Sequence, residues 1–310
     1  MKKISVISPC FNEEQNVEEL YRRVKYEFDK LDGYCYEHIF IDNASTDSTV
    51  DILKNIALND NNVKIIVNSR NFGPVRSPQH GLLQGDGDAT LFMVSDLQDP
   101  PELIPEFIKK WEDGNELVIG VKNESAESPA MFFIRKCYYN LISKLSETKL
   151  ENNFYGFGLY DKKIINILRD IPDPYPYLRG LLMEVGFNVA KIAYLQPKRY
   201  RGITKNNFLS LYDMAMLGIC SHSKVPLHIA TISGFILSFI SLMIAITYLI
   251  IKMVYWDDFP MGTAPILIGM FFLGSVQLFF IGLVGEYVGF IATKTSKFPL
   301  VIEKERINFK

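Results

Sequence analysis

Residues 90–102 read TLFMVSDLQDPPE. An apolar run of strand length ends on a polar loop, Asp96-Leu97-Gln98-Asp99, and the loop ends on Pro100-Pro101-Glu102. Two carboxylates and an amide at a strand end are hard oxygen ligands, of the kind that hold Mg²⁺ or Mn²⁺ together with a phosphate group. Asp96 and Gln98 are the metal candidates. Asp99 carries two readings. Asp99-Pro100-Pro101-Glu102 has the form of a capping box with proline at the first helical position; alternatively Asp99 takes a direct part in catalysis.

Working outward, further apolar runs of strand length lie at residues 4–8, 38–41, 63–67 and 117–121. Amphipathic stretches such as 17–28 and 50–58 separate them. This alternation predicts an α/β fold, a mostly parallel sheet with helices on both faces. Ligands of such sheets sit beyond the carboxyl ends of the strands. Those ends carry Pro9, Asn12 and Glu13, then Asp42 and Asn43, then Ser69, Arg70 and Asn71, then Asp96 and Gln98. For Asn12 the competing reading is a helix cap, and Asp47 reads as the cap of the next helix.

The 310 residues carry a net charge of −2, which gives no basis for a nucleic-acid partner. Four cysteines without metal spacing fit a reducing compartment. The N-terminal apolar run is too short for a signal peptide. Residues 225–251 and 259–285 contain no Asp, Glu, Lys or Arg, and each exceeds the roughly 20 residues that cross a hydrocarbon core. Lys205 and Lys224 precede this region, Lys294, Lys297, Lys304 and Arg306 follow it, and Asp257 and Asp258 lie in the connection. The positive-inside rule places both flanks in the cytoplasm. The expected organisation is a cytoplasmic domain over 1–205, an amphipathic helix along the membrane surface over 206–224, two transmembrane helices within 225–293 (about 225–251 and 264–291), and a cytoplasmic tail over 294–310.

Residues 5–14 (SVISPCFNEE) and 41–47 (IDNASTD) resemble the nucleotide motifs of family 2 glycosyltransferases with the GT-A fold. Residues 69–73 (SRNFG) and 96–102 (DLQDPPE) are similar to the polyprenyl-phosphate branch, which includes dolichol-phosphate mannose synthases and bactoprenol glycosyltransferases. Residues 285–289 (GEYVG) resemble the bactoprenol-type tail, and 198–205 (KRYRGITK) the family loop Arg-x-x-Gly-x-Ser-Lys. The resemblance implies a GT-A domain with a C-terminal two-helix hairpin in the inner membrane. It implies inverting transfer of a sugar, by default from UDP-glucose, to a polyprenyl phosphate such as undecaprenyl phosphate on the cytoplasmic face. A Mg²⁺ or Mn²⁺ ion at Asp96 and Gln98 and a homo-oligomer, a tetramer, are also implied. Pro9, Asn12, Glu13 and Asp96 then face the nucleotide, Asp42 accepts the ring N–H of its base, and Arg70 meets the diphosphate or stays solvated. Arg135, Arg199 and Lys205 bind the lipid phosphate or form a basic collar against anionic headgroups.

Two departures stand out. Val94 occupies the first aspartate of the usual Asp-x-Asp-x-Gln pattern, which puts metal dependence in question. Gly156-Phe157-Gly158-Leu159 lacks both the acid and the arginine of an Asp-Phe-Arg-Leu pattern. A lipid phosphate, with a second pKa of about 6, needs no general base to attack. The alternative is a catalytically impaired, nucleotide-binding membrane protein that acts as a partner in glycan assembly.

Overall fold

The structure, a computed structural model, describes residues 1–122, 151, 153–197, 216–217, 225–254 and 263–309. β1 (Lys2–Cys10), α1 (Val17–Asp29), β2 (Tyr34–Asp42), α2 (Thr49–Asn59), β3 (Val63–Asn68), α3 (Gly73–Leu82), β4 (Ala89–Phe92), α4 (Ile104–Glu112) and β5 (Leu117–Lys122) follow the alternation read from the sequence. β6 (Phe154–Asp161), α5 (Lys162–Asp170), α6 (Leu178–Glu184) and β7 (Val189–Tyr194) complete the α/β region. Two long helices, α7 (Val225–Val254) and α8 (Thr263–Lys294), and a last strand, β8 (Glu303–Ile307), end the chain.

Among the described residues the strands form one eight-stranded sheet in the order β7-β5-β6-β4-β1-β2-β3-β8. The block β4-β1-β2-β3 is parallel, as is β5 with β7, whereas β6 and β8 run antiparallel to their neighbours. Alternation along each strand divides the core. Ile4, Val6 and Phe40 pack with Leu20, Leu53 and Phe107 of α1, α2 and α4. Ile7, Ile39 and Ile41 pack on the other face with Leu82, Ile165 and Leu182 of α3, α5 and α6. Both faces are covered, so strand polarity alone decides where ligands can enter.

The helices α7 and α8 have 30 and 32 residues, more than the roughly 20 that cross a membrane. They carry large exposed apolar side chains, including Phe235, Phe239, Phe271 and Phe279. The amphipathic helix expected over 206–224 lies outside the described residues except for Met216 and Leu217, which are helical.

The chain after α8 is part of the domain. β8 pairs with β3, Ser69 donates its N–H to the carbonyl of Ile302 (2.9 Å), and the Arg76 guanidinium donates to the carbonyl of Pro299. Val301 is buried, and His80 meets Glu303. At the end of α8, Lys294 pairs with Asp173. These contacts hold the sheet against the foot of the second apolar helix. Removal of residues 299–310 unpairs the β3 edge and uncovers Val301's site, a loss of about 2–3 kcal/mol. The thermal midpoint of the purified protein in detergent is expected to fall by roughly 5 °C or more; an unchanged midpoint contradicts a structural tail.

Candidate active site

Four loops meet at the carboxyl ends of β1, β2, β3 and β4. Three contain a non-glycine residue in the left-handed region: Asn12 (φ 56°), Ala44 (φ 61°) and Leu97 (φ 61°). Such residues cost about 1–3 kcal/mol each and persist where the surroundings impose them. Three of the five such residues among the described ones thus lie in these loops, the others being Asn153 and Asn308.

The first two loops are knitted together. Asn12 donates its N–H to Ser45 Oγ (2.8 Å), and its Oδ1 accepts the N–H of Thr46 (2.8 Å). The Glu13 N–H reaches Thr49 Oγ1 at 2.9 Å. α1 begins only at Val17, so Asn12 does not cap it; the side chain bridges the loops instead. Asp47 accepts the N–H of Thr49, the first residue of α2 (3.1 Å). Pro9, near the end of β1, accepts a hydrogen bond from Ser95 Oγ (2.9 Å), which fastens the first loop to the fourth.

Asp42 ends β2 and is fully buried. Its carboxylate accepts the N–H of Ser45 (2.9 Å) and the Ser45 hydroxyl, and burial pushes its pKa up. In this conformation it supports the Ala44–Ser45 turn. Beside it, Asn43 Oδ1 accepts the N–H of Phe72 (2.8 Å), and Asn43 Nδ2 donates to Asn71 Oδ1 (2.9 Å). Arg70 is exposed and lies 4.1 Å from the centre of the Phe72 ring.

The fourth loop departs most from expectation. Asp99 caps no helix. It is 4 % exposed, its Oδ2 accepts the N–H of Val94 (3.2 Å) and its Oδ1 accepts the hydroxyl of Tyr194 from β7 (2.9 Å). The 3-10 turn that follows spans Pro101–Leu103 and has no side-chain cap. Asp99 therefore closes the loop from inside. Leu97 turns inward and is 3 % exposed, which leaves Asp96 and Gln98 half-buried on the outer side. Asp96 Oδ1 accepts the Gln98 N–H at 3.1 Å.

Among the described residues no three His, Cys, Asp or Glu side chains are grouped to hold a metal ion. One carboxylate with a neighbouring amide still fits a divalent cation of the Mg²⁺ type, which takes one or two carboxylates and completes its shell with water and substrate phosphates. Asp161, close in sequence to Gly156, pairs with Ala89 at the amino end of β4 and accepts the Trp111 indole N–H (2.8 Å). It sits at the opposite end of the sheet. Arg135, Arg199 and Lys205 lie outside the described residues.

A model of the family described as glycosyl transferase family 2 matches residues 5–185. The chain belongs to glycosyl transferase family 2. It is 33% identical over 305 residues to the bactoprenol glucosyl transferase of Shigella phage SfX, covering 98% of this chain and 99% of that protein. The prophage bactoprenol glucosyl transferase homolog of Escherichia coli K12 is 32% identical over 303 residues, covering 97% of this chain and 98% of its own length. A solved structure similar to this one is glucosyl-3-phosphoglycerate synthase from Mycobacterium tuberculosis with Mn²⁺, UDP-glucose and phosphoglyceric acid. Its TM-score is 0.49 at 19% identity, covering 71% of this chain and 78% of that one. The family membership makes the chain a glycosyltransferase, and the mixed sheet with its covering helices is GT-A-like.

Sequence reasoning missed Tyr194. Tyr194 lies 95 residues from the carboxylate that it binds, beyond any local pattern.

Burial pushes the Asp99 pKa up to about 6 from an ordinary 3.8. The folded chain therefore holds a proton that the unfolded chain releases. Stability from this group is fully present below about pH 4 and is lost as pH rises through about 6, a cost of about 3 kcal/mol. Asp99→Asn keeps an acceptor for the Val94 N–H and removes the charge. Melting of that variant is expected to lose the decline between about pH 4 and 6 shown by the wild type; a decline that persists unchanged contradicts a protonated, buried Asp99.

Proposed function

We infer that the protein is a membrane-anchored inverting glycosyltransferase. It moves a sugar, glucose in the first instance, from a nucleotide diphosphate sugar to a polyprenyl phosphate on the cytoplasmic face of the inner membrane. The observation that carries this reading is the tie between the phosphate-type loops and the apolar helices. The tail that leaves α8 pairs with β3, and β3 leads directly into the Arg70 loop. Both apolar helices also fall within the span shared with relatives named bactoprenol glucosyl transferase. The cations that follow α8 orient the domain to the cytoplasmic side.

The reaction follows from the charges. An oxygen of the lipid phosphate attacks the anomeric carbon from the side opposite the leaving group. The bond from that carbon to the diphosphate oxygen breaks, and the nucleoside diphosphate leaves with the electron pair, inverting the configuration. The acceptor oxygen carries its charge at neutral pH, so the missing acid at Gly156 leaves no gap in the chemistry. Asp96 and Gln98 would hold a divalent cation shared with the diphosphate, and that cation would offset charge on the leaving group. Arg70 adds a fixed positive charge on the same edge. The Asn12–Thr46 bridge and the buried Asp42 hold the two loops on which the nucleotide rests. Arg135, Arg199 and Lys205 are the cations for the acceptor phosphate. With two phosphate groups brought together, positioning and positive charge do the work that a base does elsewhere.

Val94 favours one competing reading, a relative that binds nucleotide without turnover. Purified protein incubated with polyprenyl phosphate and labelled UDP-glucose, UDP-galactose, UDP-N-acetyl sugars and GDP-mannose separates the two. A lipid-linked sugar is expected with one donor, and Asp96→Ala lowers its rate roughly 100-fold or more. No lipid-linked product with any donor rejects the proposal, and nucleotide binding without turnover selects the competing reading.

A further inference from the structure

The Arg70 loop is held from a second side, by the chain that leaves the second apolar helix. Phe298 lies four residues beyond the end of α8, and residues 298–302 form a strap that precedes β8. Ser69, just before Arg70, donates its N–H to the carbonyl of Ile302 (2.9 Å). Just after Arg70, the centre of the Phe72 ring lies 5.2 Å from the guanidinium carbon of Arg76, in α3. That guanidinium is 5.0 Å from the Phe298 ring centre and donates to the carbonyl of Pro299. The strap thus reaches the loop on both sides of Arg70, once through backbone and once through Arg76. The same helix borders the reaction edge: Pro74, Val75 and Pro78 line a cavity of about 210 Å³ beside Pro9 and Val94.

Arg70 and Arg76 share one ring. Their guanidinium carbons lie 4.1 Å and 5.2 Å from the centre of Phe72, both within the range of a cation–π contact. The ring has a fixed place, because Phe72 is buried and its N–H is bonded to Asn43 Oδ1 (2.8 Å). Among the described residues neither arginine pairs with a carboxylate. Each donates to a backbone carbonyl instead, Arg70 to Asn71 (3.0 Å) and Arg76 to Pro299. Burial, and then the charge of Arg70, push the Arg76 pKa down. Two cations without an acid between them cost stability through desolvation and repulsion. Their effect is on geometry. Arg76 fills the space between Phe72 and Phe298, and its charge opposes the return of Arg70 towards it. Arg70 is left on the exposed side. A side chain whose freedom is limited before the ligand arrives loses less on binding.

We propose that Arg76 is a positioning residue for Arg70. Held by the 298–302 strap, it keeps the Arg70 guanidinium on the outer side of Phe72, where the donor diphosphate comes. The proposal rests on the glycosyltransferase reading, in which Arg70 meets that diphosphate. It adds the residue through which the foot of α8 acts on the donor site.

The test is calorimetry on the full chain in detergent with Mg²⁺ or Mn²⁺, using UDP, UMP, GDP and GMP. The diphosphate increment is the affinity of a nucleoside diphosphate relative to its monophosphate. Arg70→Ala is expected to lower it roughly 10-fold, and Arg76→Met and Phe298→Ala roughly 3- to 10-fold each. Phe298→Tyr keeps the ring and is expected to match the wild type. In the Arg70→Ala background neither Arg76→Met nor Phe298→Ala lowers the increment further, which a merely structural role would not produce. Increments unchanged by both Arg76→Met and Phe298→Ala overturn the proposal, as does the absence of any increment in the wild type. Losses that persist at full size without Arg70 also overturn it and put Arg76 itself on the phosphate. Arg70→Ala without effect overturns both the positioning and the part given to Arg70 in the donor site. Lipid-linked sugar measured alongside separates this proposal from the activity. Product with an increment independent of Arg76 removes the positioning and keeps the activity; the full pattern without product keeps the positioning and removes the lipid acceptor.

Discussion

The fourth strand-end loop is closed by one buried carboxylate. Asp99 ties the N–H of Val94 to the hydroxyl of Tyr194, and with that closure Leu97 takes a left-handed conformation and turns inward. Asp96 and Gln98 then have only the outer side left. Burial favours the protonated acid, and Lys122 and the two hydrogen bonds pull in the opposite direction. The protein accepts this electrostatic cost to present Asp96 on a loop of fixed shape. A flexible loop would have to be ordered each time a substrate bound, and that cost would be drawn from affinity.

The loops on either side obey the same logic with different atoms. Asp42 holds the Ala44–Ser45 turn from below, Asn12 bridges across to Thr46, and Asn43 gathers the backbone after β3. Functional groups thus rest on a layer of buried polar side chains whose hydrogen bonds go to the loops themselves. Beyond this layer the tail makes the domain and the apolar helices one object. On the proposed function, with a water-soluble donor and a membrane-bound acceptor, the reaction edge has to be held at a fixed height above the lipid. Pairing of β8 with β3 and of Lys294 with Asp173 supplies such a constraint without a flexible linker.

Much of this was legible in the sequence because it is locally encoded. The first five strands, the helices α1 and α2 and both apolar helices follow from periodicity and length. β6 was hidden by its glycines, Gly156 and Gly158; at Gly158 an added Cβ would lie 2.5 Å from the carbonyl of Val118, so the neighbouring strand, not strand propensity, decides that residue. β8 reads EKERI, a charged run that becomes a strand only because the edge of β3 is available to it. Of the two readings of Asp99, the cap fails for a similar reason: Asp-Pro-Pro-Glu has the local form of a helix start, and a tertiary partner on β7 overrides it. Asn12 lost its cap assignment because the loop continues to Asn16 before α1 begins. The cavity beside Val94 is assembled from β1, β4, β6, α3, the start of α6 and Leu217, and no local pattern announces it.

A structure of the protein with its nucleotide sugar bound addresses the central claim most directly. The account predicts the diphosphate beside Asp96 and Gln98 and the nucleoside over the Asn12–Ser45 loops. A nucleotide sugar seated anywhere other than the carboxyl edge of β1, β2 and β4, with these loops empty, would contradict it.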